Sequence, residues 1–200
     1  MMNASIETPK PDFVSIAEFY NGNRFNSPND VAFYKYSFFF TDPPYGLPQQ
    51  QDDPTKELPY QGVYKVGSDG DIKLLIDSLT RPNGIAFTPT GKMIVANSDP
   101  KRARWYEFEL NDTAVINGKI FFDATENTTT EKGLPDGLKI DSNGNIFATG
   151  PGGVWIFNAE GQALGRILVP EATSNCALSP DEKTLYITAD MFVLRIKLRE

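Results

Sequence analysis

Four short segments of this chain carry an amide or a carboxylate at the same place: Pro28-Asn29-Asp30-Val31-Ala32-Phe33, Pro82-Asn83-Gly84-Ile85-Ala86-Phe87, Pro135-Asp136-Gly137-Leu138-Lys139-Ile140 and Ser174-Asn175-Cys176-Ala177-Leu178-Ser179. Asn29, Asn83, Asp136 and Asn175 offer oxygen donors only, which suits a hard cation such as Ca²⁺ far better than zinc or copper. A cation held there could polarise a carbonyl and lower the pKa of a bound water, and Asp136 could ligate it or accept a proton. The bland reading also stands: Asn and Asp are favoured in turns, where they hydrogen-bond neighbouring backbone. Spacing alone leaves both open. What is missing narrows the chemistry further. The chain has no histidine, so a Ser-His-Asp triad, a Cys-His nucleophile, an HExxH zinc site and a histidine base are all excluded.

The elements that must position these residues read as short strands. Apolar residues alternate with polar ones, as in Thr184-Leu185-Tyr186-Ile187-Thr188, or form brief runs such as Met93-Ile94-Val95-Ala96, and no window of a dozen residues holds a helical stripe. Turn signals recur at Ser68-Asp69-Gly70, Pro89-Thr90-Gly91, Ser142-Asn143-Gly144 and Ala159-Glu160-Gly161. The four Asn/Asp segments recur at roughly 40 to 55 residues, the length of a four-stranded propeller blade. Each is followed by a second strand, and those strands end alike in Thr41-Asp42, Asn97-Ser98-Asp99, Ala148-Thr149-Gly150 and Thr188-Ala189-Asp190. The fold class is therefore all-β, a β-propeller of about four blades' worth. A first strand over Asp12–Phe19, three four-stranded units and three last strands make sixteen, enough for a four-bladed ring closed by the N-terminal strand or for an arc of a larger ring. In a propeller the first strand of each blade lines the channel, so Asn29, Asn83, Asp136 and Asn175 converge on one end of the axis.

The chain divides into a polar N-terminal tail, residues 1–11, and a single domain over 12–200. Its 200 residues, 40% hydrophobic and 22% charged, suffice for a globular core. A formal net charge of −7 argues against a nucleic-acid partner. No signal peptide or membrane span is legible, so the chain as written is expected to be soluble and unexported, with its compartment unknown. Cys176 has no disulfide partner and reads as a buried small side chain. Gly150-Pro151-Gly152-Gly153 reads as a hairpin turn, and Lys101, Arg102 and Arg104 as a solvated hairpin end. Asp42–Glu57 is a long polar insertion, either a binding loop or a solvated excursion.

The runs Arg24-Phe25-Asn26-Ser27-Pro28-Asn29-Asp30, Thr41-Asp42-Pro43-Pro44-Tyr45-Gly46, Arg81-Pro82-Asn83-Gly84-Ile85-Ala86-Phe87, Gly133-Leu134-Pro135-Asp136-Gly137-Leu138 and Thr173-Ser174-Asn175-Cys176-Ala177 resemble the family of senescence marker protein, gluconolactonase and luciferin-regenerating enzyme, especially its bacterial gluconolactonases. The likeness runs from about Phe13 to Arg199. It implies a six-bladed propeller that holds one divalent cation, usually Ca²⁺, in its channel and hydrolyses sugar lactones to aldonic acids. By the same resemblance Asn83 and Asp136 are metal ligands, Asp136 is also the general base, Asn29 is at the metal or substrate end of the channel, and Arg24 and Glu57 fall near substrate-contacting positions. Asn175 enters the expected substrate-binding set through its repeat position.

Two departures qualify the resemblance. Family members carry an early Glu-Gly-Pro run whose glutamate is a further metal ligand, and neither Glu7 nor Glu18 stands in such a context. Tyr34-Lys35-Tyr36-Ser37 replaces the usual Asp-Gly hairpin signal, so a distorted first blade is expected. The expected activity is metal-dependent lactone hydrolysis. The alternative is a catalytically incomplete propeller serving as a binding or assembly module, self-associating through exposed blade edges.

Overall fold

The computed structural model describes residues 2–3, 14–111 and 114–198. Two short ribbons come first, β1 (Met2–Asn3) with β2 (Val14–Ser15), and β3 (Phe19–Tyr20) with β4 (Asn23–Arg24). Three four-stranded meanders follow. Blade one is β5 (Val31–Tyr34), β6 (Ser37–Asp42), β7 (Gly62–Val66) and β8 (Ile72–Ile76); blade two is β9 (Pro82–Phe87), β10 (Met93–Asp99), β11 (Arg102–Leu110) and β12 (Val115–Asp123). Blade three is β13 (Leu138–Ile140), β14 (Ile146–Gly150), β15 (Gly153–Phe157) and β16 (Ala163–Leu168), and blade four has three strands, β17 (Thr173–Leu178), β18 (Thr184–Ala189) and β19 (Phe192–Lys197). The chain is an all-β propeller arrangement of four blades. Among the described residues no helix is long and apolar enough to cross a membrane.

The burial pattern explains why the sheets stack. A sheet covered on both faces reads as a continuous apolar run, and one covered on a single face alternates. Met93 through Ser98 of β10 and all of β14 are buried, whereas β18 alternates strictly and β19 is exposed along its length. Apolar layers fill the gaps between neighbours. Phe39, Val63 and Ile76 of blade one meet Ile85, Met93 and Val95 of blade two. Ile94 and Trp105 meet Leu138, Trp155 and Phe157 of blade three, and Phe147 and Val154 meet Cys176, Leu185 and Ile187 of blade four. Cys176 is buried there, as expected.

Hydroxyls at the ends of the second strands then latch blade to blade. Thr41 Oγ1 donates to the Asn83 carbonyl (2.7 Å), the Ser98 hydroxyl to the Pro135 carbonyl, and Thr149 Oγ1 is shared between the Gly137 carbonyl of its own blade (2.9 Å) and the Ser174 carbonyl of the next (3.3 Å). The repeated Thr or Ser noticed in the sequence is this contact. The glycines that follow Asn83 and Asp136 belong to the same seam. A Cβ at Gly84 would lie 2.1 Å from the Asp136 carbonyl oxygen, and one at Gly137 would lie 2.2 Å from Asn175 Oδ1. Only glycine lets the inner strands approach so closely.

Two expectations are corrected and one open alternative is decided. The single strand over Asp12–Phe19 is absent; Asp12 and Phe13 lie outside the described residues, and beyond them β2 pairs with β1 while β3 turns into β4. That turn is Asn21-Gly22, both at positive φ (50° and 82°), a sequence built for a two-residue hairpin. Instead of extending blade four, Ile16, Ala17, Tyr20 and Phe25 pack on Phe40 and Tyr64 and cap blade one. Among the described residues no N-terminal strand completes the last sheet, so the blades form an open arc. Nor is the first hairpin of blade one broken: Val31 to Tyr34 pair with Phe40 to Ser37 in unbroken register, and the irregularity in this blade lies between β7 and β8, at Val63/Tyr64. Lys35 and Tyr36 close that hairpin at φ 44° and 60°, a left-handed pair that bulky residues adopt only under strain. Of the polar tail, Met2–Asn3 are described, as β1.

Replacing Lys35-Tyr36 by Asn-Gly relieves the strain and is expected to stabilise the protein by about 1–2 kcal/mol. Thr149→Val, which keeps shape and removes the latch, is expected to destabilise by about 1–2 kcal/mol. Urea unfolding checks both; changes of the opposite sign would contradict the two assignments.

Candidate active site

A cavity of about 520 Å³ opens where the inner strands begin. The run into blade one supplies Asn29 and the insertion between its second and third strands Tyr45, blade two supplies Arg81, Asn83 and Ser98, the run into β13 supplies Asp136, and the start of blade four closes the wall with Ala172–Ser174. Seam contacts already described place Asn83, Ser98, Asp136 and Ser174. Asn83 is buried, and its Nδ2 donates to Ser98 Oγ (2.9 Å), the hydroxyl that latches onto Pro135 beside Asp136. The Asn83 side chain lies near enough to the Asp136 carboxylate to favour its ionised form.

Burial is the main force on Asp136 and pushes its carboxyl up to about 6, with the negative charge of Asp30 adding to the shift. The Gly137 backbone amide and the Asn83 side chain pull the other way and lose. Asp30 is held in place by its own bonds: Oδ1 accepts from Val31 N (2.8 Å) and Oδ2 from Ile85 N in blade two (3.1 Å). Asp136, on the run into blade three, lies within electrostatic reach of this strapped carboxylate. The Tyr45 hydroxyl is buried and completes no hydrogen bond; burial raises its pKa, and the Asp136 charge adds to this.

Asn29 is placed by Asp42. This fully buried carboxylate accepts from Asn26 N (2.8 Å) and Ser27 N (2.7 Å), while Asn26 Nδ2 donates back to the Asp42 carbonyl (3.1 Å). The Asn-Ser-Pro-Asn run is therefore clamped by the Asp of Thr41-Asp42-Pro43-Pro44. Burial pushes Asp42 up to about 6 in spite of these bonds and of Lys56. The insertion after it is a built loop. Asp53 accepts from Gln49 N (2.9 Å), Thr55 N (2.9 Å) and Thr55 Oγ1 (2.6 Å), and these bonds, the Thr55 hydroxyl foremost, hold its pKa below the ordinary carboxylate range.

The structure brings together three of the six residues singled out from sequence, Asn29, Asn83 and Asp136. The others stand elsewhere. Arg24 and Glu57 bind each other, Arg24 N to Glu57 Oε2 at 2.6 Å and Arg24 Nε to Glu57 Oε1 at 2.5 Å, outside the cavity. Asn175 Oδ1 accepts from Cys176 N (2.8 Å) and Lys139 Nζ (3.2 Å), and the side chain borders a separate hollow on blade four. Tyr45, Arg81, Ser98 and Asp30 were not singled out. Ser98 could have been found, because the second-strand ends already repeat a hydroxyl.

As a cation site the donor set is hard and oxygen-only, the Asp136 carboxylate with the Asn83 and Asn29 amides, and Asp136 beside Asp30 is a place where a cation would relieve repulsion. Among the described residues no three His, Cys, Asp or Glu side chains gather for a metal, so the fit rests on one carboxylate and amides.

Comparison with known proteins agrees with the fold. Residues 5–190 match the SMP-30/gluconolactonase/LRE-like region. A gluconolactonase from Zymomonas mobilis is 36% identical over 191 residues, covering 92% of this chain and 54% of the relative. The solved gluconolactonase of Xanthomonas campestris superposes with a TM-score of 0.81 at 29% identity, covering 94% of this chain and 62% of that one. A regucalcin from Agrobacterium tumefaciens, at 22% identity and TM-score 0.62 over 80% of this chain and 52% of its own, shares the fold. The chain spans about half the length of the Zymomonas relative.

Asp42 binds its proton more tightly folded than unfolded, so its contribution to stability is largest below about pH 4 and is lost as pH rises towards 6. Asp42→Asn removes that titration. Its stability relative to the parent protein should therefore improve by up to about 3 kcal/mol between pH 4 and 7, read from urea midpoints across pH; a constant difference would refute the burial argument.

Proposed function

The chain belongs to the SMP-30/gluconolactonase/LRE-like family, and from that premise we propose that it hydrolyses a sugar lactone to the open-chain aldonic acid at the Asp136 cavity. The observation that carries this reading is the Asp136 carboxyl itself, pushed up to about 6 in a cavity of about 520 Å³, the size of a small polar ligand. A carboxyl poised there is still ionised at neutral pH and is a stronger base than an ordinary aspartate.

In this reading Asp136 takes a proton from water as its oxygen forms a bond to the lactone carbonyl carbon. The ring C–O bond then breaks, and the leaving alkoxide is protonated, with the Asp136 carboxyl as the donor that returns the enzyme to its starting state. Asn83 has a positioning role: Ser98 holds its amide beside Asp136, where it favours the ionised carboxylate. Asn29 faces the same space and is a ligand or substrate contact. Asp136, Asn83 and Asn29 would hold a divalent cation, Ca²⁺ first. Such a cation would polarise the carbonyl and acidify the attacking water. The calcium-binding regucalcin that shares the fold is in keeping with this choice.

Gluconolactone hydrolysis by the purified chain, with added Ca²⁺ and with chelator, tests the reading. Asp136→Asn is expected to lower kcat by about 10²–10⁴-fold, the ordinary worth of a general base. In the metal-free protein the Asp136 titration should fall near pH 6, and Ca²⁺ should move it lower, because a cation favours the ionised form. Undiminished turnover in Asp136→Asn would overturn the assignment.

A further inference from the structure

Arg81 sits where two hollows meet. One side lines the Asp136 cavity, and the other lines a second, polar hollow of about 370 Å³ beneath the insertion segment that runs from Pro48 to Asp52. Gln50 borders both hollows and holds φ at 50°, a left-handed conformation that a non-glycine residue keeps only when its surroundings demand it. Together they give the cavity a side arm.

The charge in that arm is unspent. Arg24, Arg104 and Arg166 each form an ion pair with a carboxylate. Among the described residues the half-buried Arg81 guanidinium makes neither an ion pair nor a hydrogen bond. Its charge is felt by Asp99 on its own strand pair and by the buried Tyr45 hydroxyl, and Asp52 borders the hollow without closing on it. A guanidinium is a planar fork that matches a carboxylate or a phosphate with two parallel hydrogen bonds. The amides of Gln49 and Gln50, which line the same hollow, suit the hydroxyls of a carbon chain.

We propose that the preferred substrate is an anionic sugar lactone, one bearing a carboxylate or a phosphate at the end of its carbon chain, seated on Arg81 while the ring carbonyl faces Asp136. This deepens the lactonase reading and rests on it. The arrangement assigns recognition to blade two and the insertion and chemistry to Asp136, so the two are separable by mutation.

The test compares glucono-1,5-lactone (neutral), glucaro-1,4-lactone (carboxylate) and 6-phosphogluconolactone (phosphate) as substrates of the wild-type chain, Arg81→Gln and Arg81→Lys. One or both charged lactones should have a kcat/KM at least tenfold above that of the neutral one, and which of them leads identifies the anion. Arg81→Gln should lose at least tenfold more on the preferred charged lactone than on the neutral one, chiefly in KM. Arg81→Lys, which keeps the charge without the fork, should recover part of the loss. Equal treatment of neutral and charged lactones, or an equal loss on both in Arg81→Gln, would overturn the proposal while leaving the lactonase reading intact. If no lactone is turned over, that reading falls, and calorimetry with the stable open-chain acids glucarate and 6-phosphogluconate decides the anion site alone. Binding that Arg81→Gln weakens tenfold or more supports it, and absence of binding to the wild-type chain overturns it.

Discussion

A hydroxyl reaching from one blade to a carbonyl of the next is the contact on which the cavity depends. Apolar layers between sheets are non-directional and could tolerate sliding of one blade against its neighbour. Thr41, Ser98 and Thr149 remove that freedom at the inner ends, where each bonds a specific carbonyl of the following blade. Glycines 84 and 137 are the counterpart: a side chain at Gly84 would meet the Asp136 backbone and hold the seam open, and one at Gly137 would displace the Asn175 amide. Asn83 and Asp136 are each one residue away from these glycines, so the same geometry that locks the blades aims the polar groups.

The electrostatics follow from this packing. Asp30 serves as a strap between blades one and two through its two backbone bonds, and in that position it presses negative charge on Asp136. The result is a carboxyl whose proton affinity is raised by structure rather than by any partner that moves. Asp42 carries a similar shift for a different purpose: its bonds to Asn26 and Ser27 fix the loop that ends in Asn29. Two acids with like titration thus do unlike work, one facing the cavity and one buried behind the loop that forms its rim.

Much of this was legible in the sequence because it repeats. A period of 2 along each strand and a period of roughly 50 along the chain are both visible in residue types, and together they yield blades, inner strands and the alignment of Asn29, Asn83 and Asp136. What does not repeat was not legible. The pairing of Arg24 with Glu57 joins residues 33 apart through a loop with no counterpart in the other blades. Arg81 and Tyr45 look like ordinary members of a Pro-Asn-Gly run and a proline-rich turn until the insertion folds over them. Asn175 shares the repeat position yet borders another hollow, because on blade four the neighbouring Ala172–Ser174 provides the wall instead. The hairpin at Lys35-Tyr36 shows the converse: a poor turn signal was overridden by the register of the apolar residues on either side.

Blade four gives the cavity its least covered wall. Local opening in a stacked array starts where a unit is covered on one side only, and spreads inward with each layer lost. Here that unit is the one whose β19 lies open to solvent and whose first residues form the wall opposite Asn29 and Tyr45. Among the described residues the cavity wall is thus uneven: Asn83 and Ser98 stand on strands covered by neighbouring blades, and Thr173 and Ser174 on the sheet that ends in an open strand.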